Sequence, residues 1–184
     1  LGFRGEALAS IGSVSRLAIT SKTKESLNAN TIVVDNGNYS EVAPASHIEG
    51  TTVEVRQLFG RVPARKKFLK SFRSETSAIS EVVKQVAIAR PEVGITLFSG
   101  NRKIKDFKGN DTPRNRALAV LGNELESLMC DCIYKSGDYH VSGIIGQPEL
   151  ASNISRKFHL VVNGRVIKDR SLLHAVREGY RGLI

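Results

Sequence analysis

A fold stapled by disulfides is excluded first. The 184 residues contain two cysteines, Cys130 and Cys132, too few for such a framework and in keeping with a reducing cytosol. Long apolar runs are also missing: nothing in the chain reaches the ~18 consecutive apolar residues of a spanning helix. The first residues hold no basic region followed by an apolar one, so they do not read as a secretory signal. They open on Leu1 in mid-motif rather than on methionine, and the chain is expected to be a piece of a longer one. Aromatic residues make up 6%, which argues against base stacking as a main binding mode. No Gly-x4-Gly-Lys-Ser/Thr phosphate loop and no His-Glu-x-x-His zinc helix occurs. Cys130, Cys132 and His140 lack standard ligand spacing, and small core residues are the expected role of the cysteines, with no metal bound. His47, His140, His159 and His174 are scattered, and none pairs with a serine and a carboxylate. Hydrolysis through a covalent nucleophile therefore has no support.

What is present is a core's worth of apolar residues, 41%, and a net charge of +9 from 27 basic and 18 acidic residues. Such an excess favours a polyanion, nucleic acid before an anionic membrane surface. The excess is also clustered. From Arg61 to Arg73 there are six basic residues and no acidic one. A second cluster holds Arg156, Lys157, Arg165, Lys168 and Arg170.

Along the chain, Ala7, Leu8 and Ile11 have helical spacing, with Glu6 in the first turn where the helix dipole suits a carboxylate. Strands are expected at 16–21, 31–35, 39–43 and 51–58. Asn36-Gly37 makes the hairpin turn between the second and third, since both residues tolerate positive φ. Pro63 opens a short helix to Leu69. Ser74 is expected to cap the next helix, along which Ile79, Val82, Val83 and Val86 make one apolar stripe and which stops at Pro91. A hairpin over 95–107 follows. Gly109-Asn110-Asp111-Thr112-Pro113 is the densest loop signal and marks the expected domain boundary. Beyond it come a helix from Pro113 to Gly122, strands near 128–134, 138–145 and 157–162, a turn at Asn163-Gly164, and a last helix from Asp169 to Tyr180.

The opening stretch combines a glycine turn, Gly2 to Gly5, with a helix start. Free N–H groups at a helix start suit phosphate, and glycine permits close approach. Gly-Phe-Arg-Gly-Glu-Ala-Leu-Ala-Ser-Ile, residues 2–11, also resembles the signature of the MutL family of DNA mismatch repair proteins. Two more blocks follow in the family's order. One is Gly50-Thr51-Thr52-Val53-Glu54-Val55-Arg56-Gln57-Leu58-Phe59 with Pro63-Ala64-Arg65-Lys66-Lys67-Phe68-Leu69. The other is Val162-Asn163-Gly164-Arg165 with Asp169-Arg170.

The resemblance implies an α+β chain. Residues 1–110 would be the later part of a gyrase/Hsp90/MutL-type ATPase α/β sandwich: lid end, adenine-side strand, closing helix and hairpin. Residues 111–184 would begin a transducer domain like domain 2 of ribosomal protein S5. It implies that Gly2, Phe3, Arg4, Gly5, Glu6, Ala7 and Leu8 end the nucleotide lid, and that Thr51, with Thr52 next, meets the adenine end. The family's catalytic glutamate, magnesium asparagine and adenine-reading Asp-Asn-Gly stand upstream of the lid. Asp35-Asn36-Gly37 has the last motif's letters in the wrong place and reads as a turn. The intact protein would use ATP and Mg²⁺, whereas this chain alone is expected to be inactive, with no cofactor bound. DNA contacts are expected at Arg165, Lys168 and Arg170, and at Arg65, Lys66 and Lys67. The implied partners are DNA, a second copy in an ATP-dependent dimer, and mismatch-recognition and downstream nicking or unwinding repair proteins, in the bacterial cytosol and with no membrane. A nucleotide-independent DNA-binding module, a topoisomerase piece and a chaperone piece are the alternatives.

Overall fold

The computed structural model describes residues 6–150 and 158–181. The chain divides into two compact units, Leu1–Ser71 and Phe72–Ile184.

The first unit is an antiparallel sheet with one short helix on it. Helix α1 (Ala7–Gly12) leads to β1 (Arg16–Lys22), β2 (Ala29–Asp35), β3 (Asn38–Tyr39), β4 (Ala43–Ala45), β5 (Gly50–Arg56) and helix α2 (Pro63–Lys66). The strand order is β3-β2-β1-β5, with β4 also on β2. Asn36 and Gly37 have φ of 48° and 89°, the left-handed pair that a tight hairpin needs. The expected return strand is split: Pro44, which lacks a ladder N–H, sits in a separate edge strand. Alternation sets two faces. Leu17, Ile19 and Ser21 share one face with Val34, Ile32 and Asn30 of β2, and with Val55, Val53 and Thr51 of β5.

Helix α1 rests on that face. It does not rest through Leu8, which is 44% exposed. The close contact is Gly12, where an added Cβ would stand 3.0 Å from Val34 Cγ1 and 3.5 Å from Leu17 Cδ2. The end of the helix is also tied by its backbone: Gly37 N–H donates to Gly12 O at 3.0 Å, and Asn36 N–H to Ser15 O at 2.9 Å. Buried Ser15 donates its hydroxyl to Ile11 O at 2.7 Å.

The second unit opens with helix α3 (Phe72–Ala89), the hairpin β6 (Ile95–Ser99) and β7 (Arg102–Phe107), and helix α4 (Pro113–Leu121). A 3-10 turn (Asn123–Leu128) precedes the hairpin β8 (Met129–Ser136) and β9 (Tyr139–Gly146). The hairpin β10 (Leu160–Val162) and β11 (Arg165–Ile167) and helix α5 (Arg170–Gly179) complete it. Ser74 is not the cap of α3: the helix starts two residues earlier at Phe72, which leaves Ser74 inside the first turn. Pro113 does start α4, with Thr112 accepting from Asn115 N–H at 3.1 Å. Gly122 stops it at φ 132°. The small core is Leu118, Met129 and Leu150, flanked by Leu121, Leu125, Leu128 and Ile144.

Arg116 of α4 is fully buried. Its guanidinium donates to Ala87 O at 3.0 Å, Arg90 O at 3.3 Å, Pro91 O at 2.9 Å and Val93 O at 3.1 Å, and also to Lys108 O. Asp111 lies 3.7 Å from Nε. The last carbonyls of a helix have no partners within it, and α3 has no basic residue in its own last turn. Arg116 satisfies that end from another helix, and it joins α3, the loop after it and the end of β7 to α4.

Candidate functional site

Three surfaces carry the residues singled out in the sequence. The first is the α1-bearing face of the five-stranded sheet. It grades from apolar to polar along the strands. Leu17 and Val34 are buried under the end of α1. Ile19, Ile32 and Val53 come next, with Val53 46% exposed. Ser21 and Thr51 close the row as a directly paired couple, their hydroxyl oxygens 2.8 Å apart. From Leu17 to Ser21 is four residues, about 13 Å along a strand. An apolar shelf with a polar end can hold the flat face of a heteroaromatic ring and hydrogen-bond its edge.

Thr52 looks the other way. It pairs with Thr20, and its hydroxyl lies 2.7 Å from His47 Nε2, while His47 Nδ1 is 2.5 Å from Ile48 O. A ring nitrogen on a carbonyl must donate, and in the tautomer with the proton on Nδ1 the other nitrogen, Nε2, accepts from the Thr52 hydroxyl. Thr20 donates to Thr31 on that same face at 3.0 Å. The two threonines of the motif thus occupy opposite faces, and Thr51 alone shares a face with α1.

Of the predicted lid residues, Gly2, Phe3, Arg4 and Gly5 lie outside the described residues. Glu6 stands at the N-cap of α1 with no capping bond from its side chain, and Ala7 and Leu8 are exposed in the first turn. Among the described residues no group of three His, Cys, Asp or Glu side chains could hold a metal ion. The hydroxyl and apolar groups of this shelf suit the base end of a nucleotide.

The basic residues lie on the other two, separate patches, one in each unit. Asn163 and Gly164 turn the β10–β11 hairpin with φ of 49° and 74°, which sets Arg165 at the start of β11, Lys168 after it and Arg170 at the first turn of α5. All three are exposed. Asp169 caps α5, its carboxylate accepting from Leu172 N–H at 2.8 Å. Glu178 is engaged by Arg181 at 3.2 Å, in the last turn of α5, at the end opposite Arg170. In the first unit, Arg65, Lys66 and Lys67 are exposed on and just after α2. Arg65 stacks over Phe59, 6.0 Å from the ring centre. Beside them Asn36, Gln57, Leu58, Gly60, Arg61 and Lys66 line a cleft of about 400 Å³, with Arg61 paired to Asp35 at 3.4 Å.

Sequence reasoning missed Ser21, His47, Gly12 and Arg116. Ser21 had a signal, an alternating strand ending in a hydroxyl, but its partner Thr51 is thirty positions away. Arg116 had none, because a buried arginine in a basic chain looks like any surface cation.

Three comparisons bear on this geometry. Residues 117–184 match the family described as "DNA mismatch repair protein, C-terminal domain". The DNA mismatch repair protein MutL of Sphingopyxis alaskensis is 42% identical over 184 residues, all of this chain and 30% of that protein. MutL of Histophilus somni is 39% identical over 98% of the chain and 30% of its own length. The chain thus spans about 30% of the length of these relatives. Among solved structures, the Aquifex aeolicus MutL ATPase domain complexed with ADP superposes with a TM-score of 0.78 at 28% identity, covering 94% of this chain and 67% of that one. The N-terminal domain of a DNA repair protein gives 0.79 at 26% identity, over 98% of this chain and 60% of that one. The α+β fold is accordingly that found in MutL ATPase domains, and over its length this chain belongs to the MutL family of DNA mismatch repair proteins.

Proposed function

We propose that this chain supplies the adenine-side shelf and part of the DNA-contacting surface of an ATP-driven mismatch repair switch. The observation that carries the reading is that Thr51 shares its sheet face with α1, the helix that the resemblance assigns to the lid. The Aquifex aeolicus MutL ATPase domain, solved in complex with ADP, supports a nucleotide at a site of this fold. Residues 2–8 cup the phosphates, Thr51 meets the base edge, and Thr52 lends support from the opposite face through His47. Mg²⁺ and the water-activating glutamate belong to elements that the family places ahead of the lid. Residues 1–110 act as the later part of the ATPase domain and residues 111–184 as the start of the transducer, the boundary falling at the Gly109–Pro113 loop. ATP binding orders the lid and joins two copies, and hydrolysis resets them. The dimer grips DNA of any sequence through phosphates and passes the mismatch signal to recognition and nicking or unwinding partners, in the bacterial cytosol. In the intact protein Thr51→Val should weaken ATP binding by about 3- to 10-fold, the worth of one hydrogen bond. Unchanged ATP affinity by calorimetry would remove Thr51 from the site.

A DNA-binding module that works without nucleotide is the second reading, favoured by the exposed trio Arg165, Lys168 and Arg170. DNA affinity of the intact protein that is the same with and without ATP would select it.

A further inference from the structure

Cys130 and Cys132 are expected from the sequence as small core residues, and the structure puts them elsewhere. Cys130 is exposed and Cys132 half-buried. Both stand on β8, two positions apart, and side chains along a strand alternate, so the two thiols share one face. That face continues onto β9, where Ile145 pairs with Cys130 and Gly143 with Cys132. A Cβ added at Gly143 would meet nothing within 4 Å. The space across from Cys132 is therefore open, the circumstance in which a strand glycine admits a ligand. Gln147 follows β9 and donates its amide to Cys130 Sγ at 3.9 Å. Tyr180, bonded to Gly146 O at 2.7 Å, stands near both sulfurs: after burial, the charges of Cys130 and Cys132 raise its pKa. His140 pairs with Lys135 and belongs to the opposite face of the hairpin.

We infer that Cys130 and Cys132 form a two-thiolate site for a soft monovalent cation, copper(I). Two strand steps separate their Cα atoms by about 6.6 Å, against an upper limit of about 6.8 Å for a disulfide, so direct S–S bonding is disfavoured there. A bridging metal removes that difficulty, because two metal–sulfur bonds of about 2.3 Å each let the sulfurs stand up to about 4.6 Å apart. The number of ligands selects the ion. A structural zinc takes four, and among the described residues no third His, Cys, Asp or Glu joins the pair. Thiolates are soft ligands that select copper(I), and copper(I) is satisfied by two of them. Binding replaces two S–H bonds by two S–Cu bonds and releases both protons, with no change of oxidation state. The Gln147 amide supports the Cys130 thiolate as an outer partner.

The test is anaerobic titration of the intact protein with copper(I) against a chromophoric chelator, in the wild type and in its Cys130→Ser and Cys132→Ser forms. The wild type should take up about one copper(I) per chain more than either serine form and release about two protons with it. Loss of an outer partner costs about 10- to 100-fold in metal affinity, so loss of one of only two ligands should weaken this site by at least about 100-fold. Urea midpoints of the metal-free proteins, expected to be alike, separate a lost ligand from a damaged fold. Should a serine form fail to fold, X-ray absorption of the wild type decides instead: the copper that this site adds should have two sulfur neighbours, and three or more neighbours overturn the assignment. Equal copper uptake by the wild type and both folded serine forms overturns the site. Zinc(II) held at the pair as tightly as copper(I) overturns the two-ligand reading.

Discussion

Arg116 is the residue on which the second unit depends most. Its five carbonyl partners come from α3, the loop after it and the approach to α4, and its ring-side neighbour is Phe107 at 5.7 Å. Arg116→Met would keep the volume and strand the carbonyls. Each buried group left unsatisfied costs roughly 1–3 kcal/mol, so a loss of at least ~3 kcal/mol is expected in urea unfolding of this chain, with α3 frayed at its end by hydrogen exchange. Arg116→Lys should recover only part, because an ammonium cannot fork to carbonyls on several segments. Tyr180 makes a smaller, pH-dependent contribution. Its hydroxyl donates to Gly146 O at 2.7 Å, and burial raises its pKa above the ordinary tyrosine value. A raised pKa means that the folded form holds the proton more tightly. Its contribution is complete below the unfolded pKa and is lost as pH rises through the folded one. Alkaline unfolding should therefore be shallower in Tyr180→Phe, read from midpoints across pH 8–12, a span chosen around the ordinary tyrosine pKa of about 10.

The elements were more legible than the contacts between them. The Pro113 start and Gly122 stop of α4, and the Asn36-Gly37 and Asn163-Gly164 turns, follow from local backbone chemistry, and the structure has them where that chemistry puts them. The start of α3 was misread because a good capping residue, Ser74, also fits inside a first turn. The shelf was half legible: Thr51 stood in a motif, whereas its separation from Thr52 follows from strand alternation and its pairing with Ser21 needed the β1–β5 register. On α5, Asp169→Ala should cost about 1 kcal/mol through the lost cap, measured by urea unfolding. In the intact protein Arg165→Glu and Arg170→Glu should each weaken duplex DNA of any sequence and flatten the salt dependence by roughly one unit of slope. Wild-type binding by both across a salt titration would move the contact to Arg65, Lys66 and Lys67. The β6–β7 hairpin carries an acid-sensitive contact. Lys103 hydrogen-bonds Asp106 at 2.7 Å, Thr96 does so at 2.8 Å, and these hold its carboxyl below the usual range. A depressed carboxyl supports folding above its unfolded pKa and ceases to do so as pH falls through the folded one, so Asp106→Asn should reduce the acid dependence of stability.

At the scale of the whole chain, the shelf offers hydroxyls and apolar side chains, and the water-activating glutamate is proposed to stand on an element ahead of the lid. Removing a positioned general base typically costs ~10²–10⁴ in rate, and among the described residues there is no metal cluster to compensate. The purified chain should show no ATP turnover above background in a phosphate-release assay; turnover that Thr51→Ala abolishes would refute this. One local arrangement also decides how motion could be passed on. The peptide groups of the Asp35-Asn36-Gly37 turn bind Gly12 O and Ser15 O, so the root of α1 is bolted to the tip of a hairpin rather than left on a slack tether. A pull on the chain ahead of Ala7 is therefore taken up at a fixed fulcrum, and its reaction force enters β2 at Val34, in the middle of the sheet. Lengthening that turn by one glycine should break the two backbone bonds to Gly12 O and Ser15 O and uncouple the lever from its bearing.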